Sequence, residues 1–164
     1  MEPLQIVLCA LIVTSTFLLW EGVAWFTHKY IMHGFLWTWH KSHHSVHHHK
    51  LEKNDLFALV FSLPCIGIFY YFTQVNYNPY MIAVGIGIFC YGVFYVVFHD
   101  IIVHQRVNWR PQKQSRYLQR MIRAHYIHHS KHTRRGCEAF GFLFAPGKYG
   151  PEKLARKQKS SQTK

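Results

Sequence analysis

The sequence predicts an all-α integral membrane protein, with about three transmembrane helices (or four) and a cytoplasmic helical cap lined by histidine. Three observations predict it. Apolar blocks of membrane-crossing length alternate with basic blocks and do not mix with them. All 14 histidines lie in the basic blocks or at their junctions with the apolar ones. The histidines recur at fixed spacings, twice as HxxxxH and twice as HxxHH.

At 164 residues the chain reads as a single domain, 1–150, followed by a basic, polar and disordered tail, 151–164. A hydrophobic content of 49% coexists with a formal charge of +12 because the two are segregated. No Lys or Arg precedes Lys29, and none lies between Lys53 and Arg106. Nucleic-acid binding would need a basic face on a polar fold and a recognisable motif, and the sequence offers neither. Cys9, Cys65, Cys90 and Cys137 form no CxxC pair, and three of them lie in apolar runs, which argues against a disulfide framework or a zinc ribbon.

The first span is Leu4–Phe26, broken by one charge, Glu21. MEPLQ carries no basic residue, so this run reads as a retained helix and not as a cleaved signal. The second is Leu56–Thr73, where Pro64 predicts a kink, and the third is Tyr80–Phe98. At about 1.5 Å per residue each crosses, or nearly crosses, a hydrocarbon core of roughly 30 Å. Buried helices of a soluble bundle would carry a polar stripe, which these lack. The connection QVNYNP is short and uncharged, so three spans put both basic regions on one side, the cytoplasmic side by the positive-inside rule. In the third span Ala83 and Gly87 are a small-xxx-small pair, with Gly85 and Gly92 adding bare surface. That predicts either close helix packing or a groove for a flat lipid.

Four histidine units follow: His28-x4-His33, His40-x2-His43-His44, His99-x4-His104 and His125-x2-His128-His129. On a helix, positions i, i+3 and i+4 lie within roughly 100° of one another, so each HxxHH unit can direct three imidazoles into one site. A spacing of five puts side chains about 140° apart on an ideal α-helix. Each HxxxxH unit must therefore unwind, widen into a π-turn, or serve two different metals. Ten imidazoles are too many for one ion and enough for two with five each. Neutral nitrogen suits iron, zinc, copper or nickel, so the residues leave the metal open, although a closed zinc site needs only four ligands. His44-x2-His47-His48 also matches HxxHH, so the register stays open too. His47, His48, His49 and His132 are expected to be solvated or metal-scavenging.

Over Gln114–His132, Tyr117, Leu118, Met121, Ile122, His125, His128 and His129 share an arc of about 140°, opposite Arg116, Arg120, Arg123 and Lys131. This predicts an interfacial helix with its histidines over the spans. The carboxylates cluster near histidines. Glu21 is seven residues before His28 on the same helix face, Asp100 adjoins His99, and Glu52 and Asp55 follow the second unit. Orienting ligand imidazoles is their expected work, with capping of the second span as the alternative for Asn54 or Asp55.

HKYIMHG at 28–34, HKSHH at 40–44, EKNDLF at 52–57, HDIIVHQR at 99–106, AHYIHH at 124–129 and FGFLFAP at 140–146 together resemble the membrane fatty-acid hydroxylase superfamily. Within it they are similar to the bacterial β-carotene hydroxylases. The resemblance implies a bacterial inner-membrane monooxygenase with a non-haem di-iron centre. It would use O2 and two electrons to hydroxylate β-ionone rings at C3, taking β-carotene to β-cryptoxanthin and zeaxanthin. The distance back from EKNDLF selects His40, His43 and His44, so the implied iron ligands are His28, His33, His40, His43, His44, His99, His104, His125, His128 and His129. HHSVHHHK departs from the family, where basic and Gly/Pro residues are usual, and leaves His47–His49 without a family role. No flavin, haem or iron–sulfur motif is present, so an external ferredoxin or reductase must supply electrons. The basic surface at Arg106–Lys131 would dock it, or else bind anionic lipid. Two other functions fit less of the sequence. One is a related hydroxylase or desaturase acting on a fatty acyl, sterol or sphingoid lipid. The other is a histidine-rich metal carrier or sensor, which predicts polar ligands inside the spans, and the spans hold no histidine at their apolar centres.

Overall fold

A computed structural model describes residues 2–45, 51–109 and 111–150. His47, His48, His49 and the tail 151–164 lie outside the described residues. Among the described residues the chain is helical, without a strand.

Three continuous rods are long and apolar enough to cross a membrane: Pro3–Phe35, Lys53–Val75 and Pro79–Val103. The first is α1, Pro3–Phe26, which opens on Pro3 and runs on as a π-helix, Thr27–Phe35. Gly34 leaves helical geometry and turns the chain into a short α2, Trp37–His40. A 3-10 turn at Lys53–Asp55 leads into α3, Leu56–Tyr70, which continues through Pro64, and a π-turn, Tyr71–Val75, ends that rod. In α4, Pro79–Tyr95, Pro79 occupies the first turn and the Asn78 side chain accepts from the N–H groups of Tyr80 and Met81 at 3.0 and 3.2 Å. A second histidine-bearing π-helix, Val96–Val103, extends it. The first and third spans therefore outrun the apolar runs of the sequence, because each carries an HxxxxH unit on a helical extension.

The glycines of α4 divide the two expectations made for them. A Cβ on Gly87 would stand 2.6 Å from Thr16 Cβ and 2.8 Å from the Val13 carbonyl, so α1 lies directly against α4. One on Gly85 would meet Ile68 of α3 at 3.1 Å. A Cβ on Gly92 would meet nothing within 4 Å, and this residue lines a cavity of about 440 Å³ between α1, α3 and α4. Leu4, Leu11, Leu19, Leu59 and Leu63 are exposed on the outer faces, as lipid contact requires.

The cap is α5, Arg116–His129, begun by Ser115, whose hydroxyl accepts from the Leu118 N–H at 3.2 Å. Met121, Ala124, His125 and His128 are buried beneath it. Tyr117, expected on the inner arc, is 46% exposed, and its hydroxyl donates to the Leu143 carbonyl. A compact apolar core of Phe98, Val103, Met121, Ala124, Phe142, Ala145 and Tyr149 joins the end of the third rod, α5 and segment 140–149.

Candidate metal centre

The π-helices settle how five-residue spacings share a face. In a π-turn the N–H of residue i+5 bonds the carbonyl of residue i, so a residue five positions on returns to nearly the same face. His104 N–H donates to His99 O at 2.9 Å, and the His99 and His104 rings lie 4.5 Å apart between centroids. The rings of His28 and His33 lie 5.3 Å apart. Of the three resolutions open to an HxxxxH unit, widening is the one adopted.

The HxxHH units behave differently from expectation. Neither delivers three imidazoles to one place. His40 and His44 join His28 and His33, whereas His43 crosses to His99 and His104. His125 and His129 join that second group, whereas His128 crosses to the first. The result is two groups of five, His28, His33, His40, His44 and His128, and His43, His99, His104, His125 and His129, with one nitrogen from each residue within 4.8 Å of the others in its group. For the unit on α5 the split follows from helix geometry: i and i+4 are about 40° apart, while i+3 lies roughly 60° to the other side of i. Each group thus takes one HxxxxH unit, the i,i+4 pair of one HxxHH unit and the i+3 residue of the other.

Seven of the outer ring nitrogens are held, while His125 Nδ1 is buried without a hydrogen-bond partner among the described residues. Nδ1 of His28, His33, His44 and His128 faces the backbone carbonyls of Phe140, Arg134, Lys131 and Glu138 at 2.9, 3.2, 2.9 and 3.0 Å. His40 Nδ1 meets Asn54 Oδ1 at 2.7 Å, His43 Nδ1 meets Glu52 at 3.2 Å and His99 Nδ1 meets Asp100 at 2.7 Å. These acceptors require Nδ1–H, which leaves Nε2 as a lone pair. The Nε2 atoms then converge: His28 on His40 at 3.2 Å, His33 on His128 at 3.1 Å and His43 on His99 at 2.9 Å. Two such lone pairs cannot hydrogen-bond each other, and a cation between them removes the conflict. His129 Nε2 is buried with no hydrogen-bond partner among the described residues, as a ligand atom would be. The donor set therefore fits two metal ions.

Burial also keeps the cap histidines neutral. It lowers His40 to about 3 and His44 to about 4, and pushes His43, His125, His128 and His129 well down, with neighbouring histidines adding to the effect.

Of the carboxylates expected beside imidazoles, Glu52 and Asp100 are there. Asp55 instead accepts from the Glu52 N–H at 2.9 Å and pairs with Arg106 at 2.7 Å. Glu21 touches no histidine ring in the hydrogen bonds it makes. It accepts from Tyr91 O–H at 2.6 Å and from the N–H groups of Phe142 and Leu143 at 2.8 and 2.9 Å, anchoring the segment whose Phe140 carbonyl holds His28. A shared helix face gave its direction and not its partner. Asn54, read as a possible cap, is buried against His40, and a polar residue at the mouth of an apolar rod was its only signal. Phe142 was not singled out. Its ring stacks on His28 at 5.5 Å and packs against His99 and His125. His132 is exposed, yet its Nδ1 engages the His44 carbonyl.

The fatty acid hydroxylase family profile matches residues 13–146, a stretch that includes all ten of these histidines. The chain belongs to the fatty acid hydroxylase family. It is an enzyme of an oxygenase family and, with its three membrane-crossing rods, an integral membrane protein. Among its relatives are "Beta-carotene hydroxylase" of Paracoccus sp. (strain N81106 / MBIC 01143), 42% identical over 83% of each chain, and "Beta-carotene hydroxylase" of Pantoea ananas, 42% identical over 84% of this chain and 77% of the relative. "Beta-carotene 3-hydroxylase 2, chloroplastic" of Arabidopsis thaliana is 35% identical over 67% of this chain and 37% of the relative. No solved structure is a significant match.

In this member of the fatty acid hydroxylase family, the cavity beside Gly92 runs between the rods as far as His28. Phe57, Phe61, Phe89 and Trp20 form apolar walls, and His28, Asp100 and Phe142 lie along the same lining. An apolar molecule filling this cavity would lie against His28.

Proposed function

We propose that the enzyme hydroxylates β-ionone rings at C3, taking β-carotene through β-cryptoxanthin to zeaxanthin, with one iron held by each five-histidine group. The observation that carries the reading is the convergence of these ten imidazoles in two groups, one of which contributes His28 to the lining of an apolar cavity between the rods. The Paracoccus and Pantoea relatives, named as β-carotene hydroxylases, support the choice of ring. The balance is R–H + O2 + 2 electrons + 2 protons giving R–OH + H2O. Bound iron supplies the activation of O2 and of the ring C–H bond.

The chain supplies everything else. The ten imidazoles hold the ions as neutral ligands, and the Nδ1 partners of His28, His33, His40, His43, His44, His99 and His128 fix the tautomer and direction of those seven rings. Phe57, Phe61 and Phe89 position the apolar substrate, while Phe142 and Tyr95 shield the imidazoles from water. Electrons come from an external ferredoxin or reductase. The arginines of α5 form a basic surface for such an acidic donor. The histidine face is cytoplasmic in a bacterial inner membrane, so a reporter after Lys164 reads cytoplasmic and one inserted at Asn76 reads external.

The test is the purified enzyme in detergent. It should carry close to two irons per chain and hydroxylate β-carotene only with O2 and a reductant. Ala at any of the ten histidines should abolish turnover, whereas His47, His48 and His49 should tolerate it. A single tightly held zinc, with activity surviving several of these replacements, would refute the reading.

A further inference from the structure

The two histidine groups have equal numbers of imidazoles and unequal surroundings. In the first, every Nδ1 faces a neutral acceptor: the carbonyls of Phe140, Arg134, Lys131 and Glu138, and the amide of Asn54. In the second, two rings face carboxylates, His43 on Glu52 and His99 on Asp100. Those carboxylates are fixed in place. Glu52 and Asp55 cap the start of the second rod reciprocally, and Arg106 reaches Glu52 at 3.3 Å and Asp55 at 2.7 Å. Gln105 adopts a left-handed conformation, φ 53°, which folds the chain back so that the Arg106 N–H donates to the Asp100 carbonyl at 2.9 Å. Arg106 thereby ties together the supports of both carboxylate-backed histidines.

A carboxylate drawing on Nδ1–H leaves more electron density at Nε2 than a carbonyl does, and outer partners of this kind change metal affinity by about 10–100-fold. We propose, on the two-iron reading above, that the sites are graded. The group of His43, His99, His104, His125 and His129 binds its ion more tightly, and Glu52 and Asp100 are the positioning residues responsible. Seclusion from water predicts the reverse order. The first group is buried at all five residues, whereas His104 and His129 of the second are only partly buried. The two causes are therefore separable by experiment.

The iron-loaded enzyme in detergent is brought to equilibrium with a graded series of an Fe(II) chelator under anaerobic, reducing conditions, and iron retained per chain is measured. Wild type is expected to lose its irons in two steps of one each, separated by about 10–100-fold in free Fe(II). The double variant Glu52→Gln and Asp100→Asn keeps an oxygen acceptor and removes the charge, so it should weaken the tighter step and bring the two together. Asn54→Asp adds a carboxylate at His40, in the first group alone, and should strengthen the weaker step. Size-exclusion profiles check that each variant stays folded, and either substitution set decides the matter if the other does not. One unresolved two-iron step in wild type would overturn the grading. So would a double variant that shifts the weaker step, or an Asn54→Asp enzyme that shifts the tighter one. Wild type holding fewer than two irons would instead overturn the reading on which the grading rests.

Discussion

Glu21 offers the sharpest separation of an anchor from a reacting group. Its carboxylate makes three hydrogen bonds, to Tyr91 O–H, Phe142 N–H and Leu143 N–H, at 2.6, 2.8 and 2.9 Å. Bonds to a charged acceptor contribute about 1.5–3 kcal/mol each, and neutral ones about 0.5–1.5. Glu21→Ala removes all three and strands two backbone donors, a loss of roughly 5 kcal/mol or more. Glu21→Gln keeps one oxygen for both N–H groups and turns an amide N–H towards the Tyr91 oxygen, so its loss is about 2–3 kcal/mol. At about 2–4 °C per kcal/mol for a chain of this size, Ala should lower the melting temperature by over 10 °C and Gln by roughly half of that. Iron content gives a second readout, because segment 140–143 supplies both the carbonyl that holds His28 and the ring stacked on it. The Ala variant should therefore lose iron, and the Gln variant should keep it. Gly141→Ala should act like Glu21→Ala, since its Cβ would stand 2.5 Å from the carboxylate. A Gln variant as damaged in melting and iron content as the Ala variant would show that the charge itself is needed, and would refute the anchor.

Three further outcomes follow from particular contacts. Gly92→Phe should fold, insert and hold iron normally while losing at least about tenfold in turnover of β-carotene. It fills open space in the apolar cavity, and unchanged kinetics would move the substrate elsewhere. Gly87→Val should lower the melting temperature through roughly 1–3 kcal/mol of overpacking against Thr16 and Val13, with a wild-type melting point counting against close α1–α4 contact. The metal-free enzyme should lose stability as pH falls from about 6.5 towards 4. His40 and His44 drop to about 3 and about 4 on folding, so below their unfolded value the unfolded chain binds more protons and acid favours it. Melting curves at pH 7.5 and 5.5 check the sign, and equal stability at both would contradict it.

The rods were legible because lipid-facing helices need no periodicity: apolar length and the exclusion of Lys and Arg were enough. Their continuation through His28–His33 and His99–His104 was legible only as one of three alternatives. The spacing conflicts with an α-helix but does not say how the backbone yields. Glu52 and Asp100 could be anticipated as partners of histidines because they sit close to them in sequence or join the same turn. Glu21 and Asn54 could not be assigned that way. Glu21 bonds residues more than a hundred positions away, and Asn54 reaches His40 only because α2 folds back over the start of the second rod.

The division of the HxxHH units was the least legible feature, and it has the largest structural consequence. Had each unit served one site, α2 would attach to the first rod alone and α5 to the third alone. Because His43 and His128 cross over, each five-residue group instead takes two imidazoles from a rod and the others from both cap segments. An ion held by either group therefore ties the first or third rod to segment 40–44 and to α5 at once. His28 of the first group and Asp100, the support of His99 in the second, line the same apolar cavity.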